Sequence, residues 1–401
     1  MALIVQKFGG SSVADAQRIE RVAWIIAEKY SEGNDVVVVL SAQGNTTDDL
    51  IEQALKINPV PSKREMDVLL STGEQVSVAL MAMALEKLGL PVVSLTGWQI
   101  GMQTNSEYGN ARIKGLSAER IKAEIDRRSI VIVAGFQGVN KYDNITTLGR
   151  GGSDTTAVAL AVVLHASLCQ IYTDVEGIYT CDPRRVPAAR KLDEITYDEM
   201  LELASLGAQV LHNRSVEMAK RYGVKMEVLS SFVRKPGTKV KEVTKVEHTK
   251  ISGVAMDANV AQVSLMHLRD EPGVAFKVFR VLAKEKINID IILQSIGRDY
   301  TKDISFTVAK KDQDHAVEIL NDNKEVIGFS EIIMNDQVAK VSIVGAGMMS
   351  APGVAALMFE ALYDAKVNIG MISTSEIKIS VLVAESDVDR AISALHKKFF
   401  E

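Results

Sequence analysis

The sequence predicts an α/β protein: a mostly parallel sheet sandwiched by helices, followed by two copies of a smaller α+β module. Three observations carry this. Short β-branched apolar runs alternate with helix-period segments up to about residue 240. Glycine-rich, charged stretches stand where those runs stop. A proline-to-isoleucine pattern then recurs 80 positions further on in the last third of the chain.

The strands come first. After the apolar start of "LIVQKF", "DVVVVLS" (35–41), "PVVSLTG" (91–97), "SIVIVAGF" (129–136) and "LCQIYTD" (168–174) are short runs rich in β-branched residues. That is the mark of strands buried on both faces. Between them, Ile19, Val22, Ala23, Ile26 and Tyr30 fall on one helical face, and "EQVSVALMAMALEKLG" is a long amphipathic stretch closed by glycine. Ser12, three residues before Asp15, is expected to cap the first helix. Such alternation gives a parallel sheet, and ligands of such sheets sit beyond the carboxyl ends of the strands.

Those ends are polar here. "KFGGSS" follows the first strand and "SAQGNTTDD" the second, and "AGFQG" lies further on. In "TTLGRGGSDTTAVALA", Gly149, Gly151 and Gly152 frame Arg150 before a helix expected from about Ser153 and Asp154. "YTDVEGIYTCDPR" then supplies Thr173, Asp174, Asp182 and Arg184. Glycine lets a ligand approach the backbone, and helix N-termini favour anions. So many glycine-rich, charged strand ends in one domain point to a site that handles phosphate.

Composition bounds the rest. At 401 residues, two or three domains are expected. Hydrophobic residues at 47% and charged ones at 24% are ordinary for a soluble protein. A net charge of −5 without a basic run argues against nucleic acid as a partner. The longest uninterrupted apolar runs, such as "AVALAVVL" (157–164), are too short for a bilayer, and no secretory leader is visible, so a cytoplasmic protein without a membrane partner is expected. Cys169 and Cys181 form no CxxC pair and read as packing residues, and the six histidines lack metal-ligand spacing.

The phosphate chemistry is narrowed by absences. No GxxxxGK[ST] loop occurs, nor the HRD and DFG signatures of protein kinases. "VSIVGAGMMS" (341–350) opens like a dinucleotide fingerprint, but Ser350 stands in place of the third glycine and no ribose-binding acid follows.

"VQKFGGSSV", "STGEQVS", "TTLGRGGSDTTA" and "YTDVEGIYTCDPR", in that order and followed by the repeat, resemble the aspartate kinase (aspartokinase) family along essentially the whole chain. The likeness is to its single-function bacterial form. It implies an amino-acid-kinase-like catalytic domain that transfers the γ-phosphoryl group of ATP, carried with Mg2+, to the side-chain carboxylate of L-aspartate. The product is 4-phospho-L-aspartate, the first committed intermediate toward lysine, threonine and methionine. The residues alone reach only phosphoryl transfer to a small anionic molecule.

The resemblance also implies roles. Lys7 stabilises the transferred phosphoryl group, with Gly9, Gly10 and Ser11 donating from the loop. Asp154 holds Lys7 and helps organise the metal-bound phosphate, and no metal is held by the protein alone. Arg150 grips the substrate α-carboxylate and Glu74 its ammonium, while Ser41, Thr47, Phe136 and Ser153 complete that pocket. Thr173, Asp174, Tyr179, Asp182 and Arg184 form the nucleotide side. Taken alone, Glu74 reads equally as an acid favouring a helix N-terminus, and Asp182 before Pro183 as turn chemistry. The chain departs from the family where lysine and proline are common, at Gln209 and Asn213, which puts one nucleotide contact in doubt.

The repeat pairs "PGVAFKVFRVLAKEKINI" from Pro272 with "PGVAALMFEALYDAKVNI" from Pro352, and the offset holds at Asn288 and Asn368. Each copy reads strand, helix, strand, strand, helix. This resembles the ferredoxin-like ACT domain, a small-molecule-binding module that also serves in dimerisation. The resemblance implies an allosteric amino acid, lysine, threonine or both, held near Asp270, Gly273, Ala275 and Gln294 in the first copy and Asn368, Ile369, Thr374 and Ser375 in the second. It implies either a homo-oligomer through these modules or a heterotetramer with a separate regulatory subunit.

The expected division is a catalytic domain over 1–234, a linker over 235–250, a strand at 251–258 completing the second module, a first module over 259–337 and a second over 338–401. The strand is assigned this way because "EVIGFSEIIMND" gives the first copy an extra strand and the second copy lacks one. Two rivals remain at this stage. One is a related kinase of acetylglutamate or uridylate; the other is an amino-acid sensor with an inactive kinase domain.

Overall fold

The chain forms the α/β fold with a mostly parallel sheet, followed by the paired antiparallel modules. The structure is a computed structural model and describes residues 1–206, 210–242, 251–295 and 300–401, with only the main chain of Met349 and Ser350. Gln209 therefore lies outside the described residues, as do residues 243–250 of the expected linker. The chain divides into two compact units. The first holds Met1–Ile178, Lys191–Ala204 and, of the described residues, 210–242; the second holds Tyr179–Arg190 and the repeat from residue 251 to Glu401.

The first unit runs β1 (Leu3–Phe8), α1 (Ala16–Ser31), β2 (Asp35–Leu40), α2 (Thr46–Ile57), α3 (Lys63–Lys87), β3 (Val92–Leu95), β4 (Gln103–Thr104), β5 (Ile113–Gly115), α4 (Glu119–Asp126), β6 (Ile130–Ala134), β7 (Gln137–Val139), β8 (Ile145–Thr147), α5 (Gly152–Val163), β9 (Leu168–Thr173), β10 (Glu194–Thr196), α6 (Tyr197–Ser205), α7 (Asn213–Tyr222), β11 (Met226–Ser230) and β12 (Thr238–Lys241). Its main sheet is ordered β10-β12-β11-β9-β1-β2-β6-β3, and only the β11–β12 pair is antiparallel. Val36, Val38 and Leu40 of β2 pack with Ile19, Val22 and Ile26 of α1 and Met81 and Leu85 of α3. The alternate residues Val37 and Val39 are equally buried, on the face where α5 meets β1 and β2. Burial on both faces is why these strands carry no polar alternation.

Four details differ from expectation. Asp15, not Ser12, caps α1 by accepting from the Arg18 N–H at 2.9 Å, while Ser12 sits in a 3₁₀ turn with its hydroxyl 2.8 Å from that of Ser231. The linker expected from residue 235 begins later, because Thr238 and Val240 are buried in β12 between β10 and β11. Their charged neighbours Lys239 and Lys241 gave a central strand the texture of a linker. A second small sheet, β5-β4-β7-β8, was not legible, since its strands are only two or three residues long. Finally, α3 is long and apolar enough by length and composition to cross a bilayer, yet it buries Asp67 and Glu74 and packs against α1, β3, β6 and β8.

The second unit runs β13 (Gly253–Asp257), β14 (Val260–Arg269), α8 (Val274–Lys284), β15 (Ile292–Gln294), β16 (Thr301–Ala309), α9 (Gln313–Asp322), α10 (Lys324–Ile327), β17 (Glu331–Asn335), β18 (Val338–Val344), α11 (Val354–Asp364), β19 (Met371–Thr374), β20 (Lys378–Ala384) and α12 (Val388–Phe400). It forms two four-stranded antiparallel sheets, β15-β16-β14-β17 and β13-β18-β20-β19. β13 pairs with β18 from Gly253 opposite Val344 to Asp257 opposite Lys340. It fills in the second sheet the place that β17 fills beside β14 in the first. The second sheet therefore straddles the first module in sequence. The two modules share a small core of Val260, Ile291, Val338, Met371 and Leu382, and the buried Lys340 pairs with Asp290 across them. "VSIVGAG" is β18 running into a 3₁₀ turn of this module, so the dinucleotide fingerprint is set aside by its context as well as its spacing.

The hairpin around residue 180 is shared between the units in sequence. Its base, where Leu192 N–H donates to Ile178 O, belongs to the first unit. Its tip, where Thr180 N–H donates to Arg190 O, belongs to the second. There Cys181 and Val186 join the core under α11 and α12, Val254 N–H donates to Thr180 O at 2.7 Å, and Thr180 Oγ1 lies 2.9 Å from Nε2 of the fully buried His396. Both cysteines are free and buried, and burial pushes the Cys181 thiol up to about 11. Thr180→Val leaves a buried imidazole nitrogen unpaired. Its expected cost is about 1–3 kcal/mol of stability, read as an earlier urea transition.

Candidate active site

The parallel sheet delivers its strand ends to one place. Lys7, near the end of β1, puts Nζ 2.6 Å from Asp154 Oδ1 in the first turn of α5. Their side chains are 13% and 9% exposed, so solvent screens the pair little. The turn before α5 explains the glycines. Gly149 and Gly151 adopt φ of 78° and 66°, and a Cβ on Gly151 would meet the His212 ring at 2.2 Å. A Cβ on Gly10 would stand 2.6 Å from Ala42 O, which fixes how closely the first loop packs on the second.

A cavity of about 470 Å³ opens between these loops. It is lined by Lys7, Gly9, Gly10, Ser41, Thr47, Glu74, Phe136, Arg150, Ser153 and Asp154, which the sequence had singled out, and also by Asp48, Thr147 and Gly109. Phe136 holds φ at 70°, in the left-handed region that side chains avoid, and its N–H and C=O are tied to Thr156 Oγ1 and Leu148 N–H. Arg150 is exposed at the cavity and makes no ion pair among the described residues. Ser11 is not among the lining residues; its carbonyl accepts from Arg18 Nη1 at 2.7 Å.

Glu74 lies in the middle of α3, so the helix-terminus reading does not apply. One carboxylate oxygen accepts from the Ala42 N–H at 3.1 Å; the other is buried without a partner. Burial pushes its carboxyl up to about 8, against a weaker opposing effect of that hydrogen bond. A buried carboxyl beside a cavity, half of it unpartnered, is suited to a cation that arrives with a ligand.

Of the residues expected on the nucleotide side, Thr173 and Asp174 leave β9 beside the first loop, where Gly9 N–H meets Tyr172 O. Tyr179, Asp182 and Arg184 lie at the hairpin tip, which belongs to the second unit. Asp182 accepts from the Arg184 main chain and guanidinium, which hold its carboxyl below the ordinary range against partial burial. The turn reading of Asp182 thus accounts for its contacts in this structure. The effector candidates are all in the second unit. Gly273 caps α8 at φ 94°, Asp270 pairs with Lys302 at 2.5 Å, and Ala275, Gln294, Asn368, Thr374 and Ser375 are exposed while Ile369 is half-buried.

Three supporting residues went unnoticed in the sequence. Asp67 is 1% exposed and accepts from Gly109 N–H, Thr147 N–H and Thr147 Oγ1 at 2.7–3.0 Å, joining the small sheet to α3; burial raises its carboxyl against those bonds. Arg214 donates to Leu148 O at 2.6 Å and Ala111 O at 2.9 Å. His212 packs on Gly151, and desolvation lowers its imidazole, outweighing the charge of Asp154. His212 and Arg214 sit in "LHNR", where only the departure at Asn213 stood out. Asn213 is the first residue of α7, a position that proline also suits, so this departure is compatible with the helix.

With this geometry in place, comparison with known proteins decides the family. The amino acid kinase family matches residues 2–230, and the ACT domain matches 265–323 and 341–399. An aspartokinase of Mycolicibacterium smegmatis is 52% identical over 405 aligned residues, covering 100% of this chain and 96% of that protein. The chain belongs to the aspartokinase family. Among solved structures, Escherichia coli aspartokinase III in complex with aspartate and ADP (R-state) is 28% identical with a TM-score of 0.83, and the same enzyme with lysine and aspartate (T-state) gives 0.77. Each match covers 100% of both chains. As an aspartokinase, the chain is a nucleotide-using kinase, and the sensor and related-kinase rivals fall away. Among the described residues, no group of three or more His, Cys, Asp or Glu could hold a metal ion. Asp154 is the acid that the cavity sets beside Lys7, which fits a Mg2+ carried on nucleotide phosphates with one protein carboxylate.

The raised Glu74 carboxyl carries a stability signature. A folded value of about 8 against 4.5 unfolded means that stability is fully present below pH 4.5 and is lost as pH rises toward 8. Glu74→Gln is expected to flatten that slope and stabilise the unliganded protein at pH 8.5 by roughly 3–5 kcal/mol relative to the parent. Urea melts at pH 5 and pH 8.5 read the difference.

Proposed function

We propose that the cavity binds L-aspartate beside MgATP and transfers the γ-phosphoryl group to the side-chain carboxylate, in the cytoplasm. The observation that carries the reading is the Lys7–Asp154 pair at the strand ends, in one cavity with Arg150 and Glu74. A carboxylate with pKa near 3.9 is already ionised, so no base is required. The obstacle is charge: two unit charges 4 Å apart repel by about 4 kcal/mol at an effective dielectric near 20. Aimed cations and amides therefore do the work.

In this reading, Arg150 takes the α-carboxylate with its planar fork and the free oxygen of Glu74 takes the ammonium, leaving the side-chain carboxylate toward Lys7. One carboxylate oxygen forms the bond to Pγ as the bond from Pγ to the bridging oxygen breaks. The electron pair leaves with ADP and no proton moves. Lys7 and the loop of Gly9, Gly10 and Ser11 meet the charge on the moving group, and Asp154 fixes Lys7. Asp154 would help hold a Mg2+ carried on the nucleotide phosphates, which would supply further neutralisation. Thr173 and Asp174 are read as the nucleotide side of this unit.

The repeat is read as the regulatory half, and it rests on the lysine named with the T-state relative. Lysine, threonine or both would bind between modules of paired chains, near Gln294 and Ser375. Equal affinity for active and inactive arrangements would shift nothing, so the effector must favour the less active one. A second copy of the chain or a separate regulatory subunit supplies the partner module.

Four outcomes test this. Trapping the acyl phosphate with hydroxylamine should depend on both aspartate and ATP; its absence overturns the reading. Lys7→Met should lower kcat by about 10²–10³-fold with little change in KM for aspartate, whereas an effect confined to KM would make Lys7 a ground-state binder. Aspartate binding near pH 7 should release close to one proton as Glu74 ionises against the ammonium, seen by calorimetry in two buffers and absent in Glu74→Gln. For regulation, Gln294→Ala or Ser375→Ala should raise the half-inhibitory concentration of lysine or threonine about tenfold, the equivalent of one hydrogen bond.

A further inference from the structure

A second cavity of about 250 Å³ in the first unit lies between α7, the start of β5 and Thr155 of α5, and its described lining shares no residue with that of the substrate pocket. Its walls carry three guanidinium groups, Arg112, Arg214 and Arg221, with Glu217 and Tyr222 beside them. None of the three arginines makes an ion pair among the described residues. Glu217 is the one acid among the described residues of the lining, so these walls carry excess positive charge.

That arrangement is unfavourable as it stands. Burial, and after it the charge of Arg112, pulls the Arg214 guanidinium below its ordinary value, with only Glu217 opposing. Like charges crowded around a cavity repel unless something of opposite sign enters it. Arg214 cannot swing away, because its two terminal nitrogens are tied to Leu148 O and Ala111 O. Arg112 and Arg221 are exposed and free to close on a ligand from the rim. A fixed fork at the base with two movable forks at the rim suits an oxyanion with several acceptor oxygens, since guanidinium meets phosphate and carboxylate two bonds at a time. The volume is below the range of drug-sized sites, which admits an anion with only a short carbon body.

We propose that this cavity is a binding site for a small polyvalent oxyanion, a phosphate-bearing or dicarboxylate metabolite, distinct from the substrate pocket. Its occupant reaches the same guanidinium that holds Leu148 O, one residue before the turn carrying Arg150.

The test uses the full chain with Lys7→Met in the background, so that the phosphate cradle of the substrate pocket is weakened. Inorganic phosphate and succinate are titrated separately by calorimetry at fixed ionic strength, with chloride as the balancing anion. Saturable binding of phosphate alone assigns a phosphate-bearing ligand; saturable binding of succinate alone assigns a dicarboxylate. In either case Arg112→Gln with Arg221→Gln should weaken binding at least tenfold. Both positions are exposed, and a far-ultraviolet melt confirms that the variant is folded. Saturation by neither probe, or affinity unchanged in the arginine variant, overturns the proposal.

Discussion

Everything at the candidate active site follows from confining negative charge. A parallel sheet gathers its strand ends on one edge, and the proposed reaction asks that edge to accept a carboxylate and a polyphosphate together. The Lys7–Asp154 pair is the answer the fold provides. Lys7 is held by the backbone of a strand buried between β2 and β9, and Asp154 by the first turn of a helix whose residues are almost all buried. Neither group depends on a flexible loop for its position. Little solvent reaches them, so the cation retains most of its field for a third partner.

Around that pair the structure spends stability on shape. Phe136 occupies left-handed backbone, Glu74 is buried with an unpartnered oxygen, and Asp67 draws three donors into a dry place. Each is costly alone and persists because α3, α5 and the small sheet determine it from several sides. These are the positions at which a ligand bringing charge of the right sign would recover what folding gave up.

The sheet, its helices and most of the cavity were legible in the sequence, for a physical reason. Strands buried on both faces leave unbroken apolar runs, and glycines at positive φ beside charges have few other uses, so Lys7, Arg150 and Asp154 stood out. What stayed hidden were residues that act singly from regular elements. Asp67 is one acid within a helical period, and Arg214 and His212 lie at a helix start whose partner loop is some sixty residues away in sequence. β12 was misread because its exposed face is lysine, and a sequence carries no sign of which unit will claim the hairpin tip at Thr180. The repeat was legible because register persisted over a whole helix, and the pairing of β13 with β18 could be argued from the strand that the second copy lacks.

That pairing has a consequence for how the chain is made. β13 ends at Asp257 and its partner begins at Val338, with the whole first module between them. At about 5–20 residues per second, a ribosome leaves β13 without its partner for roughly 4–16 seconds, long enough for the inserted module to fold first. The nascent chain thus carries an unpaired strand whose Gly253, Val254 and Ala255 end up buried, a template that neighbouring chains on the same message can read. Rapid closure of the inserted module, which brings residues 257 and 338 together, shortens the span that β13 must search and is the natural guard against that error.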